Sequence, residues 1–290
     1  MTNTVGGMQV SQLWRYPVKS MVGGRVDSID LDELGVVGDR TWAVRDLERG
    51  GIRGAKKIGS LMRLAARDVD DAQVEITLPD GSTVLTTDAD VDERVSAALD
   101  HRVRLEALRP ADDLEHYRRG APDSDDVVAE LRGIFGREDD EPLPDFSVFP
   151  PIIAEYESPP GTYYDVFPLM VMSEAALAAL AAALPDSNVD IRRFRPSFVV
   201  DTGDDGADAS TPGHPEFDWT GRRATIGSAM VEFGAPCPRC VMVTREISSA
   251  IPADRAVLRH VVRDLDQNLG IYATIVTPGT IRVGDAMTFV

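Results

Sequence analysis

Cys237-Pro238-Arg239-Cys240 sets two thiols three positions apart with an arginine between them. A thiolate is a strong ligand for soft or high-valent metals, and a cationic neighbour lowers the pKa of the thiol that forms it. Three readings fit these four residues. The spacing matches a thioredoxin-like redox pair, but such a pair opens a helix within a βαβ unit. Here the motif follows a strand-like run and leads into Val241-Met242-Val243-Thr244, which itself reads as strand. A zinc half-site needs a second ligand pair, and His101, His116, His214 and His260 are scattered without ligand spacing. The third reading is a pair of buried cysteines, and spacing alone leaves it open. With only these two cysteines in the chain, a disulfide framework, a four-cysteine zinc site and an iron–sulfur cluster are all disfavoured.

Two cationic groups stand out next. Tyr16-Pro17-Val18-Lys19-Ser20 is followed by Gly38-Asp39-Arg40-Thr41-Trp42, and Lys19, Ser20 and Arg40 are phosphate-binding residue types at strand ends. The plainer reading is a solvated lysine and an arginine paired with Asp39. Arg192-Arg193-Phe194-Arg195-Pro196 crowds three guanidinium groups into four positions, which calls for an anion or several carboxylates.

The elements that must position these groups are mostly strands. Val10 to Val18, Arg25 to Leu31, Thr41 to Arg45 and His101 to Leu108 read as strands, and Val74 to Leu78 with Ser82 to Thr86 flank a Pro79-Asp80-Gly81 turn. Further strands are predicted over Phe198 to Val200, Ala224 to Phe233, Ile271 to Val276 and Thr280 to Val290, with a Gly/Asp/Ser/Pro loop over 201–215. Helices are predicted over Asp90 to Leu99, Asp125 to Phe135, Ser173 to Leu184 with Ser173 as N-cap, and Asp254 to Leu265. The run Arg137-Glu138-Asp139-Asp140-Glu141-Pro142 reads as an exposed linker or insertion. The fold class that follows is α+β, mainly β and barrel-like.

Composition narrows the partners. Thirty basic against 48 acidic residues give a net charge of −18, which repels nucleic-acid phosphates and anionic lipid. No run approaches the roughly 20 apolar residues of a membrane span, and Met1 to Gly7 lacks the features of a signal peptide. The expected location is the cytoplasm, with no nucleic acid and no membrane as partners.

Taken in order, these pieces resemble the MOSC family. The resemblance is to the branch with an N-terminal β-barrel domain, which includes the mitochondrial amidoxime-reducing component and the C-terminal part of molybdenum cofactor sulfurase. The matching residues are Leu13 to Ser20, Gly38 to Trp42, Ser173-Glu174-Ala175, Arg193 to Pro196, Cys237 to Cys240, and Tyr272 ahead of Pro278 to Asp285. The resemblance implies an N-terminal β-barrel domain over 1–110, an acidic linker or insertion over 111–164 and a MOSC domain over 165–290. It implies a molybdenum cofactor, Mo-molybdopterin, held between the two domains with Cys240 on the metal. Lys19, Ser20, Arg40 and Arg195 fall on positions that hold the cofactor's phosphate and pterin. Arg239 and Tyr272 join them as cofactor-binding positions, and Asp165 falls on an active-site aspartate that relays a proton or orients water.

Departures from the family pattern are local. Asp165-Val166-Phe167-Pro168 stands where amidoxime-reducing relatives have Asp-Thr-Ser-Pro, and Ser197 replaces an asparagine. Residues 109–165 are longer and more acidic than the equivalent segment. The activity the resemblance implies is molybdenum-dependent oxygen-atom removal from a small N-hydroxylated substrate, in which Mo(IV) on Cys240 takes the oxygen and becomes Mo(VI). Two cysteines cannot supply an iron–sulfur donor domain, so electrons must come from an external protein of ferredoxin, flavin reductase or cytochrome type. The alternatives are a non-catalytic carrier or store of cofactor or sulfur, and a scaffold that has lost the cofactor.

Overall fold

The computed structural model describes residues 7–70, 73–203 and 209–290. The first six residues and the centre of the 201–215 loop, both read above, lie outside the described residues. Sixteen strands run in chain order among the described residues. β1 (Gln9–Arg15), β2 (Gly24–Val26), β3 (Ser28–Leu31), β4 (Trp42–Asp46) and β5 (Ile52–Arg53) precede β6 (Ala65–Asp68), β7 (Val74–Thr77), β8 (Thr83–Leu85) and β9 (Val103–Ala107). Then come β10 (Leu169–Ser173), β11 (Phe198–Asp201), β12 (Arg223–Ile226), β13 (Ala229–Pro238), β14 (Asn268–Thr277), β15 (Gly279–Arg282) and β16 (Met287–Phe289). The helices are α1 (Val91–Leu99), α2 (Leu114–Tyr117), α3 (Val127–Phe135), α4 (Glu174–Ala183) and α5 (Arg255–Asp264).

The largest sheet has eight strands in the order β16-β12-β13-β14-β10-β11-β1-β2. Period-two alternation sorts its side chains onto two faces. Leu169, Val171, Phe198, Val200, Ile271 and Ala273 share one core with Leu13, Val231 and Phe233. Met170, Met172 and Cys237 look the other way and pack under α4 and α5. The N-terminal half forms two three-stranded sheets, β5-β4-β9 and β6-β7-β8, which enclose a separate core with α1. None of the sheets among the described residues closes on itself, so the architecture is α+β, mainly β, with curled open sheets.

The halves are interleaved rather than strung end to end. β1 lies between β11 and β2, with Leu13 opposite Phe198, and β3 pairs with β15. A boundary near residue 110 therefore divides the sequence but not the hydrogen bonding, since the first three strands belong to the C-terminal sheets.

Local chemistry explains where the structure departs from the pattern. The run predicted as one strand over Ala224 to Phe233 is a hairpin, with Ile226 opposite Ala229. Its two-residue turn uses Gly227 at φ +58°, where a Cβ would meet the Thr280 carbonyl oxygen at 2.3 Å. Val241 to Thr244 is a 3₁₀ turn, not a strand. Short apolar runs do not distinguish the two, and here local bonds such as Thr244 Oγ1 to the Val241 carbonyl (2.8 Å) decide. The segment expected as an exposed linker also folds: Arg137 and Glu141 are buried, because Arg259 and Arg263 from α5 clasp Glu141.

One buried carboxyl ties the C-terminal half together. Ser173 caps α4 through the Ala176 amide (3.0 Å), and its hydroxyl donates to Glu216 at 2.6 Å. Burial pushes the Glu216 carboxyl up to about 7, against about 4.5 in an exposed chain. The folded state thus favours the protonated acid. Its contribution is complete below about pH 4.5 and is lost as the pH rises through 7. Between about pH 5 and about pH 8, wild type should lose roughly 3 kcal/mol more than Glu216→Gln, at about 1.4 kcal/mol per pKa unit. Denaturant unfolding of both proteins at the two pH values checks this, and parallel curves would remove Glu216 as the cause.

Candidate functional site

Between β1 and β2 the chain leaves the C-terminal sheet over residues 16–22 to reach the N-terminal sheets, and this excursion is held by backbone bonds. The Arg40 amide donates to the Tyr16 carbonyl (2.8 Å), the Trp42 amide to Pro17 (3.1 Å) and the Lys19 amide to Trp42 (2.8 Å). Ser20 and Arg40 are driven to φ +67° and +50°, and Arg195 on the facing loop sits at +58°. Non-glycine residues in this region cost free energy and gather at functional sites. Half of the six such residues among the described ones thus fall on positions singled out by their chemistry.

Tyr16 is the pivot. Its ring has the Arg195 guanidinium carbon 4.2 Å from the centroid and that of Arg40 at 5.1 Å. Its hydroxyl donates to the Pro196 carbonyl at 2.9 Å, and its amide donates to Asp39 at 2.5 Å. Asp39 also pairs with Arg40, which stacks in turn over Tyr164 at 5.0 Å. Arg195 donates to the Met21 carbonyl, while its Nη2 is buried without a protein partner. Burial brings Arg195 down to about 10, and the nearby Arg40 charge acts in the same direction.

Lys19 is not the solvated lysine that its type suggests. It is 3 % exposed and donates to Asp165 (2.6 Å), the Tyr163 carbonyl (2.8 Å) and Ser158 (3.3 Å). Lys56 holds the other oxygen of Asp165 at 2.9 Å. Burial pulls Lys19 below its usual range and pushes Asp165 up, but the two ammonium groups outweigh this and keep Asp165 well below the usual carboxylate range. With one ammonium group on each of its oxygens, Asp165 clamps Lys19 to Lys56 across the cavity lining. Ser20 Oγ accepts from the Ala55 amide at 2.9 Å. A Cβ on Gly54 would come within 2.8 Å of that oxygen, so the loop facing Ser20 has no room for a side chain.

The cysteines take different roles. Cys237 is buried within β13, beside the Tyr272 hydroxyl, and burial pushes its thiol up. Tyr272 stacks on Phe167, with centroids 4.6 Å apart. Cys240 follows the strand end and is only half-buried, at the start of the 3₁₀ turn. Arg239 between them donates to the Leu269 carbonyl (2.8 Å), the Phe194 carbonyl (3.1 Å) and the Met170 sulfur (3.2 Å). It braces the loop and has its donors engaged. Arg193 does the same from the other side. It is almost fully buried and donates to the carbonyls of Asn188, Val243, Arg245 and Pro252. The arginine cluster is thus satisfied mainly by backbone carbonyls rather than by carboxylates, Arg192 with Asp190 being the exception.

All eight candidate residues line one cavity of about 790 Å³: Lys19, Ser20, Arg40, Asp165, Arg195, Arg239, Cys240 and Tyr272. Lys56 and Tyr164 line it too and were missed, because neither sits in a motif with recognisable spacing. No cluster of three or more His, Cys, Asp or Glu among the described residues could hold a metal ion by itself. A metal here would need a ligand set brought in by a cofactor. The donors present fit one that is large and anionic: an unpartnered buried guanidinium nitrogen, two lysines, a stacked arginine and an accessible thiol around one hollow.

The chain belongs to the MOSC domain family, in the branch that carries a MOSC N-terminal beta barrel domain. The family model of that barrel domain matches residues 7–119 and that of the MOSC domain residues 160–288. Among curated proteins it is similar to mitochondrial amidoxime reducing component 2 of Bos taurus, 25 % identical over 95 % of this chain and 81 % of the relative. It is equally similar to mitochondrial amidoxime-reducing component 1 of Homo sapiens, at 25 % identity over the same shares. Among solved structures, the YUAD protein from Bacillus subtilis aligns with a TM-score of 0.43 at 12 % identity, covering 97 % of this chain and 93 % of that one. No helix among the described residues is long and apolar enough to cross a membrane.

The Lys19–Asp165–Lys56 clamp is open to test. Asp165→Asn would leave Lys19 charged and buried with only neutral acceptors. The expected loss is about 2 kcal/mol, below the usual 3–5 kcal/mol because Asp165 is 43 % exposed at the cavity lining. Inorganic phosphate should restore part of the melting temperature in the variant and less in wild type. An unchanged melting temperature in Asp165→Asn would show that the clamp does not hold the loops.

Proposed function

We propose that the protein is a molybdenum-cofactor-dependent oxidoreductase that removes oxygen from small N-hydroxylated compounds. The observation that carries this reading is the convergence in one cavity of an accessible thiol and a cationic floor, drawn from five separate segments of the chain. The named activity of the amidoxime-reducing relatives supplies the substrate class. When bound, the cofactor supplies a metal that exchanges an oxygen atom and two electrons with the substrate.

The chain's own residues do the rest. Cys240 offers the single protein thiolate to the metal. Lys19, Ser20, Arg40 and Arg195, with Lys56 beside them, would hold the anionic end of the cofactor, and Tyr272 would contact it. Arg193 and Arg239 fix the Cys240 loop through six backbone carbonyls and one sulfur. Electrons come from an external donor protein of ferredoxin, flavin reductase or cytochrome type. A second reading is a carrier or store of the cofactor, held by the same thiol and basic groups.

Molybdenum content should approach about one atom per chain in protein from a cofactor-producing host and fall to background in Cys240→Ala, since one thiolate is the protein's share of the ligand set. Elemental mass spectrometry reads this, and an assay with an artificial electron donor and an amidoxime follows. Metal retained without any reduction would favour the carrier. Metal in neither protein would sink both readings.

A further inference from the structure

The cavity has two halves of opposite character. Its lysines and arginines come from the two family domains, whereas a run of apolar side chains along its wall comes from the segment between them. α3 reads Val-Val-Ala-Glu-Leu-Arg-Gly-Ile-Phe, yet none of its residues is fully buried. Leu131, Ile134 and Phe135 turn their exposed surface to the cavity, and Phe146 and Phe149 extend the wall. The three phenylalanines form an edge-packed row, with centroids 5.6 and 6.2 Å apart. Apolar surface turned to a cavity that also carries basic groups, in a segment otherwise rich in acids, is the kind of patch that takes a ligand.

The wall is also held still. Asp126 caps the start of α3 through the Val128 and Ala129 amides, and Lys57 and Arg53 clip that end to Asp123 at 3.0 and 3.1 Å. At the far end Gly136 closes the helix in a left-handed conformation, with no room for a side chain against Leu258. Arg137 then donates to the Arg239 carbonyl at 3.1 Å, within the Cys240 loop itself. A rigid apolar wall beside a polar reactive floor is how preformed small-molecule sites divide orientation from affinity.

Resting on the reading of the floor as the cofactor site, we propose that α3 and the Phe146–Phe149 segment select the substrate. They bind its apolar body, aromatic or extended alkyl, while the N-hydroxylated head points at Cys240. Leu131, Ile134 and Phe149 are the specificity-determining residues. The cavity's volume of about 790 Å³ suits a small organic molecule beside a cofactor and leaves no room for a folded partner.

The test compares equilibrium binding of two probes, a phenyl-substituted and a methyl-substituted amidoxime, to cofactor-loaded protein without electron donor. Wild type should bind the phenyl compound at least roughly tenfold more tightly, as expected for burying an aromatic ring. Leu131→Gln with Ile134→Gln should cut that preference below about threefold, with molybdenum and pterin content unchanged. The milder Leu131→Ala should give an intermediate ratio and guards against simple unfolding of the helix. Equal binding of the two probes to wild type, no binding of either, or an unchanged preference in both variants would each overturn the proposal. So would loss of cofactor with the preference intact, since the wall would then be covering the cofactor. Phenyl preference without any reduction on adding donor would uphold the wall and defeat the proposed reaction instead.

Discussion

Everything around the cavity depends on Tyr16 lying against two guanidinium groups from different parts of the chain. Arg40 leaves the loop before β4, and Arg195 leaves the turn before β11. Bringing two like charges to one buried ring is unfavourable unless the ring's negative face and a carboxylate share the load. Asp39 supplies that carboxylate and also receives the Tyr16 amide, so the same four residues fix the chain path and the charge. The three left-handed backbones at Ser20, Arg40 and Arg195 are tolerable only because this cluster over-determines them.

An overall charge of −18 coexists with a cavity floor where basic groups dominate. The contrast works because the basic groups are largely enclosed: the surface remains acidic while the field inside is set by lysines and arginines at short range. Arg193 and Arg239 show a different use of the same residue type. Each spends its donors on backbone carbonyls and so makes an irregular loop rigid, a task a lysine could not perform with three donors on a flexible stem.

Much of this was legible in the sequence. The capped helices, the Pro79-Asp80-Gly81 turn and the ordered motifs depend on local chemistry that one residue and its neighbours express. The eight candidate residues could be named because the ordered motifs carry them, and the structure gathers them round one cavity. What was hidden is tertiary. Lys56 and Tyr164 carry no local signal, and Gly54 matters only because Ser20 lies opposite it. Residues 111–164 looked like linker because their acids and prolines cannot make a core alone. The arginines that neutralise Glu138 and Glu141 arrive from α5, more than a hundred positions later. Val241 to Thr244 read as strand because the apolar run hides the local bonds that close the turn, which Arg193 then braces through the Val243 and Arg245 carbonyls.

The interleaving of β1 with β11 sets an order of events during synthesis. Gln9 pairs with Asp201, so the first strand made must wait until nearly two hundred further residues have been added. At ribosomal speeds of about 5–20 residues per second, that delay is many seconds, during which β1 has only β2 beside it and the Tyr16–Ser20 segment has Arg40 to Trp42. The N-terminal core can form early from β4 to β9 with α1, but the cavity cannot. Its floor is completed only when β13 and β14 arrive to carry Cys240 and Tyr272. A nascent chain therefore offers no half-built pocket, and whatever ligand the cavity takes must meet a polypeptide already made as far as Tyr272.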